Sequence, residues 1–219
     1  MGLRKATGRM YNFVDYTWNV IKGRCSHDCS YCYMKRITTL GEMRFDQKEL
    51  KTDLGHDNFI FIGSGCDVFC KDVPGEWINT IIDYCMKFDN KYLFQSKNIA
   101  RMLEFLPDDM NLIVCTTIET DRWYPDIMGS CPTPQQRAEA MSYVPFPKYV
   151  TIEPIIDFDP YELVELIKMC EPIQVNIGTD SGDNNLPEPS LRKVLSLLSE
   201  LQKFTNIFIK PSFINYYNK

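Results

Sequence analysis

Phe59-Ile60-Phe61-Ile62-Gly63-Ser64-Gly65 begins with four consecutive apolar residues and ends in a serine between two glycines. An unbroken run of this length is typical of a strand buried on both faces, as in a parallel sheet covered by helices. Glycine at the end of a strand also lets the backbone approach a ligand closely. The run therefore predicts a central strand that leads into a flexible, ligand-accessible end, although an ordinary tight turn would have the same composition.

Apolar, strand-like runs alternate with helix-like segments on both sides of this run. We predict seven strands, at residues 16–20, 59–62, 92–94, 112–117, 149–152, 173–177 and 206–210. Right-handed connections between parallel strands then give an α/β fold, a partial (β/α)6-type barrel of parallel strands. In such folds the chemistry is carried by residues that follow the carboxyl ends of the strands.

The composition, 44% hydrophobic and 13% aromatic, indicates a folded chain rather than a disordered one. We predict a single domain over residues 1–219, with residues 1–15 as an N-terminal extension. The sequence has no basic start followed by an apolar segment, and no run near the ~20 apolar residues of a membrane span. We therefore expect a cytoplasmic protein that does not contact a membrane.

Positive charge is concentrated at the start of a chain whose net charge is −5. Residues 1–36 carry seven Lys or Arg against two Asp. A basic segment is the electrostatic footprint expected of a nucleic-acid binder. A solvated basic terminus explains the same residues equally well, so both interpretations stay open.

Three cysteines, Cys25, Cys29 and Cys32, lie within eight residues of the segment 24–33, called the cysteine loop below. Thiolates this close together converge on a soft metal ion or an iron–sulfur cluster. A zinc site would need a fourth ligand, either His27 or a distant cysteine. An odd total of nine cysteines, in a chain without an export signal, indicates reduced thiols and a metal site rather than disulfides.

The spacing C-x3-C-x2-C, with aromatic Tyr31 before the last cysteine, resembles the signature of radical S-adenosylmethionine (radical SAM) enzymes. The resemblance implies a [4Fe-4S] cluster on Cys25, Cys29 and Cys32, with one iron open to chelate SAM. It implies reductive cleavage of SAM to a 5′-deoxyadenosyl radical that abstracts hydrogen from a substrate. It further implies an external one-electron reductant, flavodoxin- or ferredoxin-like, and sensitivity to oxygen.

Further segments resemble a family of phage-associated radical SAM proteins of largely undefined function. They span nearly the whole chain and include Thr17-Trp18-Asn19, the segment 61–67, Ser96-Lys97, Thr117-Ile118-Glu119 and Ile152-Glu153-Pro154. The loop between Asp121 and Pro134 is particular to this sequence. The cysteine loop is also similar, more distantly, to that of spore photoproduct lyases, which repair a thymine dimer in DNA and use a cysteine near the second strand as hydrogen donor.

The resemblance implies a set of SAM contacts at the strand ends. They are Gly63, Ser64, Gly65, Asp67, Ser96, Lys97, Thr117, Glu119 and Glu153. Lys97 would pair with the SAM carboxylate as a point charge, unless it is a solvated lysine at a helix start. Glu119 and Glu153 each follow an apolar strand, where an acid needs a partner such as a ribose hydroxyl, Lys97 or Lys210.

Two further sets of residues are candidates for the substrate and for hydrogen donation. Trp123 and Tyr124 lie in a fifteen-residue connection, 119–133, and could stack on a nucleobase or cap the core instead. Cys66 is the candidate hydrogen donor, although its offset from Asp67 differs from that in the lyases. Cysteines on predicted helix faces and strands, namely Cys85, Cys115 and Cys170, are expected to pack in the core.

Two functions follow from these observations. The first is a radical SAM enzyme that abstracts hydrogen from an unidentified substrate, with a nucleic-acid base or nucleotide as the candidate class. The alternative is a non-catalytic nucleic-acid-binding module with a zinc ion held by the three cysteines and His27.

Overall fold

The computed structural model describes residues 2–8, 10–37, 39–180, 182–210 and 213. The strands in this part of the chain are β1 Arg4–Lys5, β2 Tyr16–Trp18, β3 Ile21–Lys22, β4 Arg44–Phe45, β5 Phe59–Ile62, β6 Lys91–Gln95, β7 Leu112–Thr117, β8 Lys148–Ile152, β9 Gln174–Ile177 and β10 Asn206–Ile209. The helices are α1 Met34–Ile37, α2 Gly75–Cys85, α3 Ile99–Met102, α4 Pro125–Met128, α5 Pro134–Ser142, α6 Pro160–Cys170 and α7 Leu191–Leu201, with a short 3-10 helix at Gln47–Lys51. The predicted α/β class and all seven predicted strands are confirmed.

The chain forms two compact units. The first contains Met1–Ser26 and Met34–Val114, and the second contains His27–Tyr33 and Cys115–Lys219. Strand β7 passes from the first unit to the second. In the first unit the strand order is β1-β2-β5-β6-β7, and in the second it is β7-β8-β9-β10.

Parallel pairing predominates in both units, as the apolar runs predict. In the first unit, Phe61 of β5 lies opposite Thr17 of β2 on one side and Leu93 of β6 on the other. In the second unit, β9 pairs in parallel with both β8 and β10. The short β1 is antiparallel to β2, so part of the predicted N-terminal extension belongs to the sheet.

Helices cover these strands through apolar faces. In the first unit α2 buries Ile78, Ile81, Ile82 and Cys85. In the second unit α6 packs against α5 and α7 and lies over β8. A capping box at Thr133, in which the Gln136 side chain returns the bond, starts α5, and the Asp159 carboxylate caps α6. The apolar residues of α2 and α6 have the helical spacing expected of helices that cover a sheet.

Three segments differ from the prediction. The sequence of residues 41–57 is polar and rich in Asp and Lys, which predicts irregular structure, but the segment contains β4, which pairs with β3, and the 3-10 helix, where buried Glu49 pairs with Lys22 at 3.0 Å. The apolar residues Ala100, Leu103 and Leu106 predict one helix, but it ends at Met102, and tighter turns replace it before Pro107. The sequence of the connection 119–133 predicts an irregular loop, but the connection contains α4, which begins at a proline.

Some predicted segments extend beyond the described residues. The sequence from Tyr33 to Leu40 predicts a short helix, of which Thr38 lies outside them, as does Arg9 of the basic N-terminal segment. In the part that the structure describes, no helix has the length and apolar character needed to cross a membrane.

Candidate functional site

In the first unit, Cys25 of the cysteine loop lies beside two cysteines of the turn that follows β5. The Sγ atoms of Cys25, Cys66 and Cys70 are all within 4.8 Å of one another, and they form the convergent group of metal-ligand side chains found among the described residues. Cys66 and Cys70 are buried, whereas Cys25 is half-buried. Hydrogen bonds to Cys66 and Cys70, together with burial, raise the pKa of Cys25, and hydrogen bonds from Cys25 and Cys66 lower the pKa of Cys70.

The turn after β5 is held by hydrogen bonds to Asn19, the residue that follows β2. Gly63 has φ of +76°, and a Cβ there would lie 2.4 Å from Cγ2 of Val68. The Gly65 N–H donates to Oδ1 of Asn19 at 2.8 Å, and the Asn19 amide donates to the Ser64 hydroxyl at 3.1 Å. Glycine is thus required at position 63, where a side chain would need both a positive φ and space already occupied.

Asp67 joins this turn to the end of the neighbouring strand. Its Oδ2 accepts hydrogen bonds from the Ser96 hydroxyl and the Lys97 N–H, each at 2.9 Å, and its Oδ1 accepts from the Phe69 N–H at 2.9 Å. The structure therefore brings together three of the predicted SAM contacts, and it gives the Asp67 carboxylate a role in joining two strand ends.

In the second unit, Glu119 lies in a buried network that sequence analysis missed. Neither the Glu119 nor the Arg137 side chain is exposed, and Oε2 of Glu119 lies 2.8 Å from Nη1 of Arg137. The hydroxyl of Tyr31, in the cysteine loop, donates a hydrogen bond to Oε1 of Glu119. Arg137 also donates to the carbonyl of Thr117. We call Tyr31, Glu119 and Arg137 the Glu119 network.

Burial and the carboxylate of Glu119 act in opposite directions on the charge of Arg137. Burial by itself disfavours the charged arginine, but the attraction and hydrogen bond of Glu119, together with the attraction of Cys131 and Tyr31, outweigh it and raise the pKa of Arg137. The signal that could have found Arg137 is its place on α5, where it is buried beside Ala138 and Met141. An arginine on the apolar face of a helix needs a buried acid.

The connection 119–133 holds the second half of the cysteine loop. The Ser30 N–H donates to the carbonyl of Ile127, the Ser130 N–H donates to the carbonyl of His27, both at 2.8 Å, and the Cys29 thiol donates to the carbonyl of Met128 at 3.4 Å. At Gly129, with φ of +65°, a Cβ would lie 1.9 Å from the His27 carbonyl oxygen. Close backbone approach at this position requires glycine.

The two predicted substrate residues of this connection differ in their surroundings. Trp123 is 38% exposed. Tyr124 packs against a cluster in the second unit, formed by Met128, Cys131, Ile156 and Leu186. The surroundings of Tyr124 are those of a residue that caps the core, whereas Trp123 offers an accessible ring.

Glu153 follows β8 and pairs with Lys210 after β10, one of the three partners anticipated for it. The Lys210 Nζ lies 2.7 Å from Oε2 of Glu153. A Cβ at Gly178 would lie 2.8 Å from Cδ of Glu153, so this pairing depends on glycine at the end of β9. Ser181, in the segment that follows, lies outside the described residues.

Neither a known protein family nor a curated protein matches this sequence. Solved structures of spore photoproduct lyase do match it. One has a TM-score of 0.64 at 11% sequence identity over 95% of this chain and 80% of that chain. A variant with bound AdoMet and dinucleoside spore photoproduct has a TM-score of 0.64 at 10% identity over 93% of this chain and 78% of that chain. This likeness shows that the chain shares its fold with these lyases, which confirms the predicted α/β fold class.

Proposed function

We propose that this protein is a radical SAM enzyme that abstracts hydrogen from a nucleotide or a nucleic-acid base. The observation that carries the proposal is the C-x3-C-x2-C loop in a chain with the fold of spore photoproduct lyase, a radical SAM enzyme. Structures of that lyase contain bound AdoMet and a dinucleoside. Those ligands support SAM as cofactor and a base or nucleotide as substrate class.

The donor set of the cysteine loop fits an iron–sulfur cluster. Three thiols are the ligand type that such clusters use, and a four-iron cluster on three cysteines leaves one iron for SAM. Cys25 and Cys32 are half-buried and Cys29 is 7% exposed, so the loop is partly shielded from water. When bound, the cluster supplies the electron that cleaves SAM, and an external reductant of flavodoxin or ferredoxin type would restore it.

The residues of the chain would position the cysteine loop and SAM. The Glu119 network and the backbone bonds from Ile127 and Met128 hold the loop from Cys29 to Cys32. The turn at residues 63–67, with Ser96 and Lys97, would bind the amino-acid part of SAM. Thr117, Glu119 and Glu153 are the remaining proposed SAM contacts, although both carboxylate oxygens of Glu119 are already bonded, one to Tyr31 and the other to Arg137.

Anaerobic reconstitution with iron and sulfide tests the proposal. We expect a brown protein with about four irons per chain, whose electron paramagnetic resonance spectrum changes when SAM is added. Reduction should then release 5′-deoxyadenosine. A colourless protein that holds one zinc ion and forms no 5′-deoxyadenosine would instead support the zinc-binding, nucleic-acid-binding module.

Lys97→Ala should weaken SAM binding about 10- to 100-fold and leave the cluster intact. One charge-assisted contact is worth roughly 1.5–3 kcal/mol, which gives that range. The substitution preserves the backbone N–H that Lys97 donates to Asp67, so the turn itself should not change. Equilibrium binding of SAM to the reconstituted protein measures the effect, with exposed Lys48→Ala as the matched control. Unchanged affinity in Lys97→Ala would make this lysine a surface residue.

Trp123→Ala should lower turnover with a nucleotide substrate. Its free energy of unfolding should change by less than about 1 kcal/mol, because the ring is exposed. Tyr124→Ala is the control and should cost about 2–3 kcal/mol, because its ring packs on the buried cluster. Thermal denaturation gives both values. If Trp123→Ala destabilises the protein as much as Tyr124→Ala, Trp123 caps the core and does not bind substrate.

A further inference from the structure

We propose that Cys25, Cys66 and Cys70 form a second thiolate site, which binds one thiophilic metal ion such as Zn²⁺, Cd²⁺ or Cu⁺. Their Sγ atoms lie within 4.8 Å of one another. Around a tetrahedral ion with Zn–S bonds of about 2.3 Å, neighbouring sulfurs are roughly 3.8 Å apart. A contraction of about 1 Å or less therefore brings all three sulfurs to bonding distance.

The polypeptide fixes two of these ligands before a metal arrives. Cys66 and Cys70 lie in one turn, where the Cys66 N–H donates to the Gly63 carbonyl at 3.2 Å and the Cys70 N–H donates to the Asp67 carbonyl at 3.3 Å. Cys66 is 3% exposed and Cys70 is fully buried. Ligands held in this way lose little conformational freedom when they bind, which favours a tight site.

One positively charged and one negatively charged side chain lie beside the turn. Arg101 of α3 donates from its guanidinium to the carbonyls of Cys70 and Val73. This positive charge favours thiolate over thiol. The negative charge of Asp67 has the opposite effect, but the Asp67 carboxylate is already bonded to Ser96 and to two backbone N–H groups.

The donor set selects the class of metal. Three sulfur ligands favour Zn²⁺, Cd²⁺ and Cu⁺ over Mg²⁺ and Ca²⁺, which prefer oxygen. Each thiol loses its proton to the solvent when its sulfur binds the ion, so binding should release protons in proportion to the thiols engaged. Half-buried Cys25 provides the accessible edge through which an ion reaches the two buried sulfurs.

If the proposed function holds, Cys25 is a ligand of both the metal site and the iron–sulfur cluster. Cys25 is also the first cysteine of the proposed cluster ligands, so the two sites compete for its thiolate. A metal ion at Cys25, Cys66 and Cys70 would therefore exclude assembly of the cluster. Thiophilic metal would then keep the enzyme inactive until it is removed.

Cadmium titration of the iron-free, anaerobic full chain tests the site. The Cys29→Ser/Cys32→Ser variant removes the competing loop ligands, and we expect it to bind one Cd²⁺ with the ultraviolet charge-transfer band of three thiolates. Adding Cys66→Ser/Cys70→Ser should weaken binding at least 100-fold. Cys85→Ser, which alters a fully buried thiol in the same unit, is the matched control and should bind Cd²⁺ normally. Undiminished binding after the Cys66 and Cys70 substitutions would overturn the proposal.

Thiol alkylation gives a second measurement that does not depend on folding of the four-fold variant. In the Cys29→Ser/Cys32→Ser protein, one equivalent of Cd²⁺ should slow alkylation of Cys25, Cys66 and Cys70 together, as mass spectrometry of the labelled peptides would show. Protection of Cys25 alone would contradict a shared site.

Cluster assembly separates this proposal from the proposed function. One equivalent of Cd²⁺ should slow reconstitution of the otherwise unaltered chain more than that of the Cys66→Ser/Cys70→Ser variant, in which the loop thiols alone hold Cd²⁺. A chain that forms the cluster but binds no Cd²⁺ at these cysteines would refute the metal site alone. A chain that binds Cd²⁺ there but never forms a cluster would refute the proposed function alone.

Discussion

Replacing Cys25, Cys29 or Cys32 with alanine should leave the protein without an iron–sulfur cluster after anaerobic reconstitution. Three cysteines are the whole protein ligand set of a cluster that keeps one iron open for SAM, so the loss of one leaves a second iron of the proposed cluster without its protein ligand. Iron and sulfide content per chain, with the visible absorption spectrum, measures the effect. We expect near-complete loss in each single variant.

Cys85→Ala and Cys170→Ala are the controls, and both should retain the cluster. These thiols lie on α2 and α6 and have no exposed surface. Burial raises the pKa of Cys170 to about 12, and it raises the pKa of Cys85 as well. Both thiols therefore stay protonated near neutral pH and do not compete for iron.

Cys66→Ala and Cys70→Ala make the test more stringent, because their sulfurs lie beside that of Cys25. If the cluster is held by the cysteine loop, both variants should keep their iron and sulfide. If instead they lose it while Cys29→Ala and Cys32→Ala keep it, the ligand assignment is wrong and the cluster lies on the three convergent cysteines.

The fold was predictable wherever burial dictates a simple pattern. Strands such as β5 are runs of apolar residues because both of their faces are covered, and that pattern survives without knowledge of any neighbour. The two-residue strands β1 and β4 have no such pattern. They are formed by pairing with β2 and β3, and the sequence does not state which segments meet.

In the candidate site, too, contacts between neighbouring strands are predictable from the sequence, whereas contacts that depend on long connections are not. Asp67 and Lys97 could be placed together from sequence because β5 and β6 are parallel neighbours, whose carboxyl ends meet at one edge. The partner of Glu119 could not, because Arg137 reaches it from a helix that follows a long connection. Similarly, Cys66 was considered as a hydrogen donor near the strand ends, but its proximity to Cys25 depends on how the cysteine loop folds back.

Arg137→Met should destabilise the protein by about 3–5 kcal/mol. Methionine has a similar length but no charge, so the substitution leaves the fully buried Glu119 carboxylate without its cation. Removing one partner of a buried ion pair typically costs this much. The free energy of unfolding in denaturant, or the melting temperature of the protein, measures the loss.

Arg122→Met is the matched control, because Arg122 pairs with Asp157 in the same unit but is 42% exposed. An exposed pair of this kind contributes about 0–1 kcal/mol. Equal losses in Arg122→Met and Arg137→Met would show that the buried position of the Glu119 network confers no special stability.

The double variant Glu119→Gln/Arg137→Met separates pairing from packing. A neutral glutamine removes the buried charge, so the double variant should recover part of the stability lost in Arg137→Met, with a coupling of about 1–3 kcal/mol.

Tyr31→Phe removes only the hydroxyl that reaches Glu119. It should cost about 1–2 kcal/mol and lower the yield of reconstituted cluster, because the cysteine loop then loses its bond to the network. A Tyr31→Phe protein that assembles the cluster as well as the unaltered chain, and at the same rate, would restrict the Glu119 network to stabilising the fold.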